Sequence, residues 1–197
     1  YGFKDFRIVV GHRRREVEEE IKKLRKSLPF EYSTIYNPNF KTMNNCYSLL
    51  LGIKELDDSV IISNSDIVFD PGILQYVDNS ISRNFLVVDT GKPLDEEDMK
   101  VYIEDGQAID ISKELNIERA DGEYIGISGV TKKDLPLLKQ SLEKVVRETP
   151  KRFYEDAYRL MLKITPFYVV DTHSLKWTEI DTPEDLEYAK RIAEKWS

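Results

Sequence analysis

The stretch Val60–Phe69, VIISNSDIVF, decides how this chain is read. Val60, Ile61, Ile62 and Ser63 form a short apolar, β-branched run with no helical period, which predicts a buried strand. Polarity then arrives at once in Asn64, Ser65 and Asp66. Apolar residues return at Ile67, Val68 and Phe69, and Asp70-Pro71-Gly72 opens a helix. A buried strand that runs into a carboxylate sets that carboxylate at the carboxyl edge of a sheet, where open α/β sheets bind ligands. Asp66 is therefore a candidate ligand, set against the plainer reading of a turn aspartate bonded to its own backbone.

Upstream, Phe6 to Val10 predicts a strand ending in Gly11. Val17, Ile21, Leu24 and Leu28 then make one apolar stripe on a Lys/Arg/Glu-rich helix, which Pro29 stops. Glu31 to Tyr36 reads as the next strand, so the opening is a βαβ unit with parallel pairing. A helix follows from Asn44 or Asn45, since Asn is a good N-cap. Downstream, Ile73 to Ile81 predicts a helix and Phe85 to Val88 a buried strand. Met99 to Glu104 and Gln107 to Ile111 flank Asp105-Gly106, the pair that a tight primed hairpin turn prefers. Glu123 to Val130 reads as a strand, Leu135 to Val146 and Tyr154 to Leu162 as helices, and Phe167 to Asp171 and Leu175 to Ile180 as strands. Thr182 caps a last helix begun by Pro183, with Leu186, Ala189, Ala193 and Trp196 on its inner face. The sum is an α/β chain: a three-layer mixed sheet, interrupted by an antiparallel β-hairpin insertion.

Composition narrows the function. The 197 residues are 41% hydrophobic, enough to bury a full core. A net charge of −7 disfavours a nucleic-acid binder, because phosphate backbones select basic surfaces. Nucleotides stay open, since a metal can supply the missing charge. No apolar run approaches membrane-spanning length and no signal peptide is visible. The single cysteine, Cys46, permits no internal disulfide and fits a reducing, cytoplasmic setting. It lies among apolar helical residues, an inert thiol rather than a nucleophile. His12 and His173, isolated and without cysteine partners, do not make a zinc site.

A second strand-end carboxylate changes the weight of Asp66. Trp177-Thr178-Glu179-Ile180-Asp181 also ends in acids, and two such carboxylates can converge at one sheet edge. Magnesium takes hard oxygen ligands, commonly one or two carboxylates plus substrate phosphates. The competing reading of Asp181 is a helix cap, a place that Thr182 fills better.

VIISNSDIVF, DGEYIGISGV and WTEIDTPEDLEYA resemble, in order, signatures of the sugar-phosphate nucleotidyltransferase family. NNCYSLLLGI, PLDEEDMKV and FYEDAY resemble its phosphocholine and inositol-phosphate cytidylyltransferase branch. The resemblance implies a Rossmann-like, mostly parallel sheet of the nucleotide-diphospho-sugar transferase type. It implies an enzyme that needs Mg2+ and moves a nucleotidyl group, CMP from CTP, onto a phosphorylated acceptor such as phosphocholine, inositol phosphate or a sugar phosphate. Pyrophosphate is released. A homo-oligomer is compatible with it. The family opens on a strand, a Gly-rich loop with an Arg, and a Pro-Lys segment. This sequence opens on YGFKDFRIVVGHRRRE, which resembles the family's second strand and helix. The expectation is one nucleotidyltransferase-like domain over 1–197 lacking that first βα unit.

By resemblance, Asp66 and Asp181 hold the metal. Gly11, Asn45, Ser48 and Ser65 meet the nucleotide, Lys100 meets the acceptor phosphate, and Glu123, Gly126, Glu155 and Asp156 meet the acceptor. Plainer roles stand beside these: a helix cap for Asn45, a surface hydroxyl for Ser48, a solvated lysine for Lys100, a bulge for Gly126 and helix-start acids for Glu155 and Asp156. Tyr154 and Trp177 offer aromatic faces to a choline ammonium, or pack the core. Two other functions fit the same residues: a binding module without catalysis, and a GT-A glycosyltransferase.

Overall fold

The structure is a computed structural model and describes Phe3 and residues 5–196. Its strands and helices run, in order, β1 (Asp5–Val10), α1 (Arg14–Arg25), β2 (Glu31–Tyr36), α2 (Asn45–Ile53), β3 (Val60–Ser63), β4 (Ile67–Phe69), α3 (Ile73–Asp78) and β5 (Phe85–Asp89). They continue with β6 (Lys100–Glu104), β7 (Gln107–Ser112), β8 (Gly122–Val130), α4 (Leu135–Glu148), α5 (Glu155–Met161), β9 (Phe167–Asp171), β10 (Trp177–Glu179) and α6 (Pro183–Ala193). The class is mixed α/β, as read from the sequence. The fold divides into two compact units: Tyr1–Asp57 with Leu137–Tyr158, and Asp58–Pro136 with Arg159–Ser197.

In the first unit, β1 and β2 pair in parallel from Asp5↔Glu31 to Val10↔Tyr36, the βαβ unit expected. Val10, Cys46, Ile53, Leu138, Leu142, Val145 and Tyr154 are buried. Of the α1 stripe only Ile21 is buried. Leu24 and Leu28 are 52% and 54% exposed, because the two-stranded layer covers one line of the helix and not its whole apolar face. Gly11 ends β1 where a Cβ would lie 2.5 Å from Cβ of Phe40, so the close approach there requires glycine.

In the second unit, six strands lie in the order β3-β8-β5-β9-β7-β6, with β6 also against β8. The β5–β9 pair is parallel, and β3–β8, β5–β8, β6–β7, β6–β8 and β7–β9 are antiparallel. The antiparallel share is therefore larger than the βαβ opening and the family resemblance imply. The reason is β8: all nine of its residues are buried, and it takes antiparallel partners along its length. The predicted hairpin forms at Asp105 and Gly106, both with positive φ (49° and 75°), as a primed turn needs. Phe85, Leu86, Val87, Val88, Ile125 and Ile127 make a continuous core. Thr182 and Asp185 form a capping box for α6. Its buried face carries Ala189 and Ile192; Leu186, expected on that face, is exposed, and the burial falls on Ile192, one step from the expected Ala193. No described helix is long and apolar enough to cross a membrane.

Candidate active site

β4 and β10 form a short antiparallel ribbon, with Trp177↔Phe69, Thr178↔Val68 and Glu179↔Ile67. The amide of Ile180 donates to the carbonyl of Asp66 at 2.8 Å and carries the ladder one step further. Asp66, Glu179 and Asp181 thus gather at one end of the ribbon. Asp66 and Asp181 are exposed and Glu179 is half-buried. Burial raises the Glu179 carboxyl above its ordinary range, and the charges of Asp66 and then Asp181 raise it further, with Lys113 and Lys92 opposing. The sequence alone does not single out Glu179, although it stands in the WTEID segment. Its in-and-out position on a three-residue strand depends on register, which the segment alone does not set.

Among the described residues, no group of three or more His, Cys, Asp or Glu side chains is arranged to hold a metal alone. A magnesium ion completed by substrate phosphates needs only one or two carboxylates. Two strand-end acids whose charges already raise a neighbouring carboxyl fit such a cation, since it would relieve that repulsion.

A second cluster lies at the ends of β5, β6 and β8. The indole Nε1 of Trp177 donates to Oδ2 of Asp89 at 2.7 Å, and the other Asp89 oxygen accepts from the Gly91 amide at 2.9 Å. Lys92 pairs with Glu123 and, at 3.2 Å, with Asp98. Burial pulls the Lys92 ammonium down, but Glu123 and Asp98 outweigh it and hold the ammonium above its ordinary value. Burial pushes the Glu123 carboxyl up to about 7, with Lys92 holding it back.

Lys100 departs from the role the resemblance implies. It is fully buried, and its Nζ donates to the carbonyls of Asp95, Glu96 and Asp98 at 3.3, 2.8 and 3.2 Å. An ammonium has three donors. All three tie down the 95–98 loop, so Lys100 is a loop anchor rather than an open phosphate contact. The lysines near the carboxylates are Lys92 and Lys113, neither foreseen, because sequence does not tell where a flexible stem ends.

The remaining expected residues are placed as follows. In the second unit, Ser65 is exposed beside Asp66. Gly126 has φ +84°, and a Cβ there would lie 2.8 Å from the Asn64 side-chain nitrogen. In the first unit, Asn44 caps α2, and the Asn45 Oδ1 accepts from the Tyr154 amide at 3.1 Å. The Ser48 hydroxyl accepts from Nδ2 of the buried Asn37 at 3.0 Å. Glu155 is buried at the start of α5, and Asp156 pairs with Arg152 at 3.2 Å. Cys46 is buried and its thiol is pushed up to about 12, first by burial and then by Asp156 and Glu155, as an inert thiol should be. The structure thus groups Asp66 with Asp181, and sets Lys100 opposite Glu123 on β6 and β8. Gly11, Asn45, Ser48, Glu155 and Asp156 belong to the other unit.

No family model matches the chain. It is 27% identical over 196 residues to a bifunctional IPC transferase and DIPP synthase from Aquifex aeolicus, covering 98% of this chain and 42% of that protein. The chain thus spans less than half the length of that relative. Among solved structures, it resembles the inositol-1-phosphate CTP transferase from T. maritima with TM-score 0.78 and 22% identity, covering 98% of this chain and 77% of that one. It also resembles a CTP:phosphocholine cytidylyltransferase from Streptococcus pneumoniae with TM-score 0.70 and 21% identity, covering 98% and 79%. The likeness read from the sequence has its counterpart in the fold: the chain shares the architecture of an inositol-1-phosphate CTP transferase and of a CTP:phosphocholine cytidylyltransferase.

Proposed function

We propose that this chain is the nucleotidyl-transferring part of a magnesium-dependent cytidylyltransferase that moves CMP from CTP to a phosphorylated small alcohol and works in the cytoplasm. The observation that carries this reading is the meeting of Asp66 and Asp181 at one end of the β4–β10 ribbon, where both charges bear on Glu179. The inositol-1-phosphate and phosphocholine chemistry in the relatives' names supports the choice of nucleotide and acceptor class.

In the proposed reaction a phosphate oxygen of the acceptor attacks the α-phosphorus of CTP. The new P–O bond forms as the bond to the β-phosphate oxygen breaks, and pyrophosphate leaves. Asp66 and Asp181 are the residues that would hold magnesium, which supplies charge neutralisation for the triphosphate. The chain itself positions the reactants. Gly11, Asn45, Ser48 and Ser65 are assigned to the nucleotide, and Glu123, Gly126, Glu155 and Asp156 to the acceptor. Lys92 and Lys113 bring positive charge to the carboxylate end of the second unit. No protein nucleophile is required, and positioning with fixed charge carries the rate.

The test is pyrophosphate release from CTP, with inositol 1-phosphate or phosphocholine as acceptor, by the chain and by the full-length protein that contains it. Turnover that needs both substrates and magnesium supports the reading. Saturable CTP binding without turnover in the full-length protein overturns it in favour of a binding module. Transfer from a sugar nucleotide without use of CTP overturns it in favour of a glycosyltransferase.

A further inference from the structure

Lys92 sits where a ligand cation belongs. The Trp177 ring is fixed at its edge by the Asp89 bond, and Asp89 is itself buried. Over that ring, 5.6 Å from its centre, lies the Lys92 ammonium. The same ammonium pairs with Glu123 and Asp98, whose carboxylates are also buried. An aromatic face backed by buried carboxylates is what recognises a substituted ammonium ion. Here the chain's own lysine fills that cage.

We propose that Lys92 is a tethered stand-in for a substrate cation and that it sets acceptor choice: with the Trp177–Glu123–Asp98 cage filled from within, the acceptor is the phosphate ester of a neutral polyol, not of a quaternary ammonium alcohol. This rests on the cytidylyltransferase reading for the word acceptor, but the cage itself does not. The physical reason is charge exclusion. A second cation in the same shell would face an ammonium that Glu123 and Asp98 keep charged. Lys100, which is buried, cannot take over, since its donors are spent on loop carbonyls. A polyol meets no such conflict. Its hydroxyls can accept from the Lys92 ammonium and donate to the Glu123 and Asp98 oxygens.

The experiment is a binding titration followed by isothermal titration calorimetry, with tetramethylammonium as the probe. It compares the chain with Lys92→Ala and with Lys92→Gln, a second neutral variant that keeps more of the stem. Lys92→Arg, which keeps a cation in the cage, is the control. We expect no saturable binding to the unaltered chain or to Lys92→Arg. We expect at least a tenfold gain in the neutral variants, lost again when Trp177→Leu is added. Equal binding by the unaltered chain, a gain in Lys92→Arg, or no gain in either neutral variant overturns the proposal. Because the readout needs no CTP, failure of nucleotidyl transfer would strike the enzymatic reading and leave the cage result standing.

Discussion

The Ile180 amide donates to the Asp66 carbonyl at 2.8 Å. That bond joins two segments more than a hundred residues apart in the chain and decides which side chains share the ribbon's end. Asp66 stands across from Ile180, with Glu179 on one side and Asp181 on the other. Replacing either Asp66 or Asp181 by Asn should lower pyrophosphate release by about a hundredfold or more, the scale set by loss of one group from a preorganised electrostatic site. The same change removes a negative charge from beside Glu179, so its carboxyl should titrate lower than in the parent chain. Carbon-detected NMR titration of Glu179 checks the second effect without any turnover.

Lys100 makes a contrasting prediction. Lys100→Met keeps most of the buried stem but removes the donor to three carbonyls of the 95–98 loop. Leaving the buried Asp98 acceptor short, along with two part-buried ones, costs about 1–3 kcal/mol. Chemical denaturation should show that loss. If instead stability holds and only the KM for the acceptor rises, Lys100 is a substrate contact and the anchor role fails.

These two residues show where the sequence is legible. The β2, β3 and β9 spans come out as read, because each is a short β-branched run closed by polar or turn residues. The Thr182-Pro183 start of α6 comes out for the same kind of reason, a local rule that needs no tertiary context. Asp66 and Asp181 can be singled out because each follows a strand-forming run that ends in a carboxylate. Lys92, Asp98 and Glu179 could not, since what defines them is which strand lies beside which. The β5–β8 and β6–β8 registers settle that, and β8 takes antiparallel neighbours where the opening suggested parallel ones. The exposed Leu24 and Leu28 fail for a related reason: periodicity shows which face of a helix is apolar, not how much of it is covered.

Gly126 tests the backbone at the middle of β8. Its φ of +84° is strained for any L side chain, and an added Cβ would meet Asn64, whose amide donates to the Gly126 carbonyl at 2.9 Å. Gly126→Ala should cost about 1–3 kcal/mol in unfolding free energy. Shortening the obstacle with Asn64→Ala should recover only part of this, because the φ strain stays. Full recovery in the double variant would mean that the clash, not the backbone, is the whole effect.

Glu123 gives the pH dependence its sign. Burial raises its carboxyl from an ordinary 4.5 to about 7 in the folded chain, against the pull of Lys92. The folded state therefore binds this proton more tightly than the unfolded state does. Its contribution is fully present below about 4.5 and is lost as pH rises toward about 7. Glu123→Gln resembles the protonated acid in shape and cannot ionise. The two chains should thus have similar denaturation midpoints near pH 4.5, and the parent should fall progressively below the variant as pH climbs to 7. Lys92 stays charged throughout this window, held by Asp98 in the variant, so its titration does not reverse the trend. A parent chain that gains stability relative to Glu123→Gln over the same range would show that the Lys92–Glu123 ion pair outweighs burial of the carboxylate.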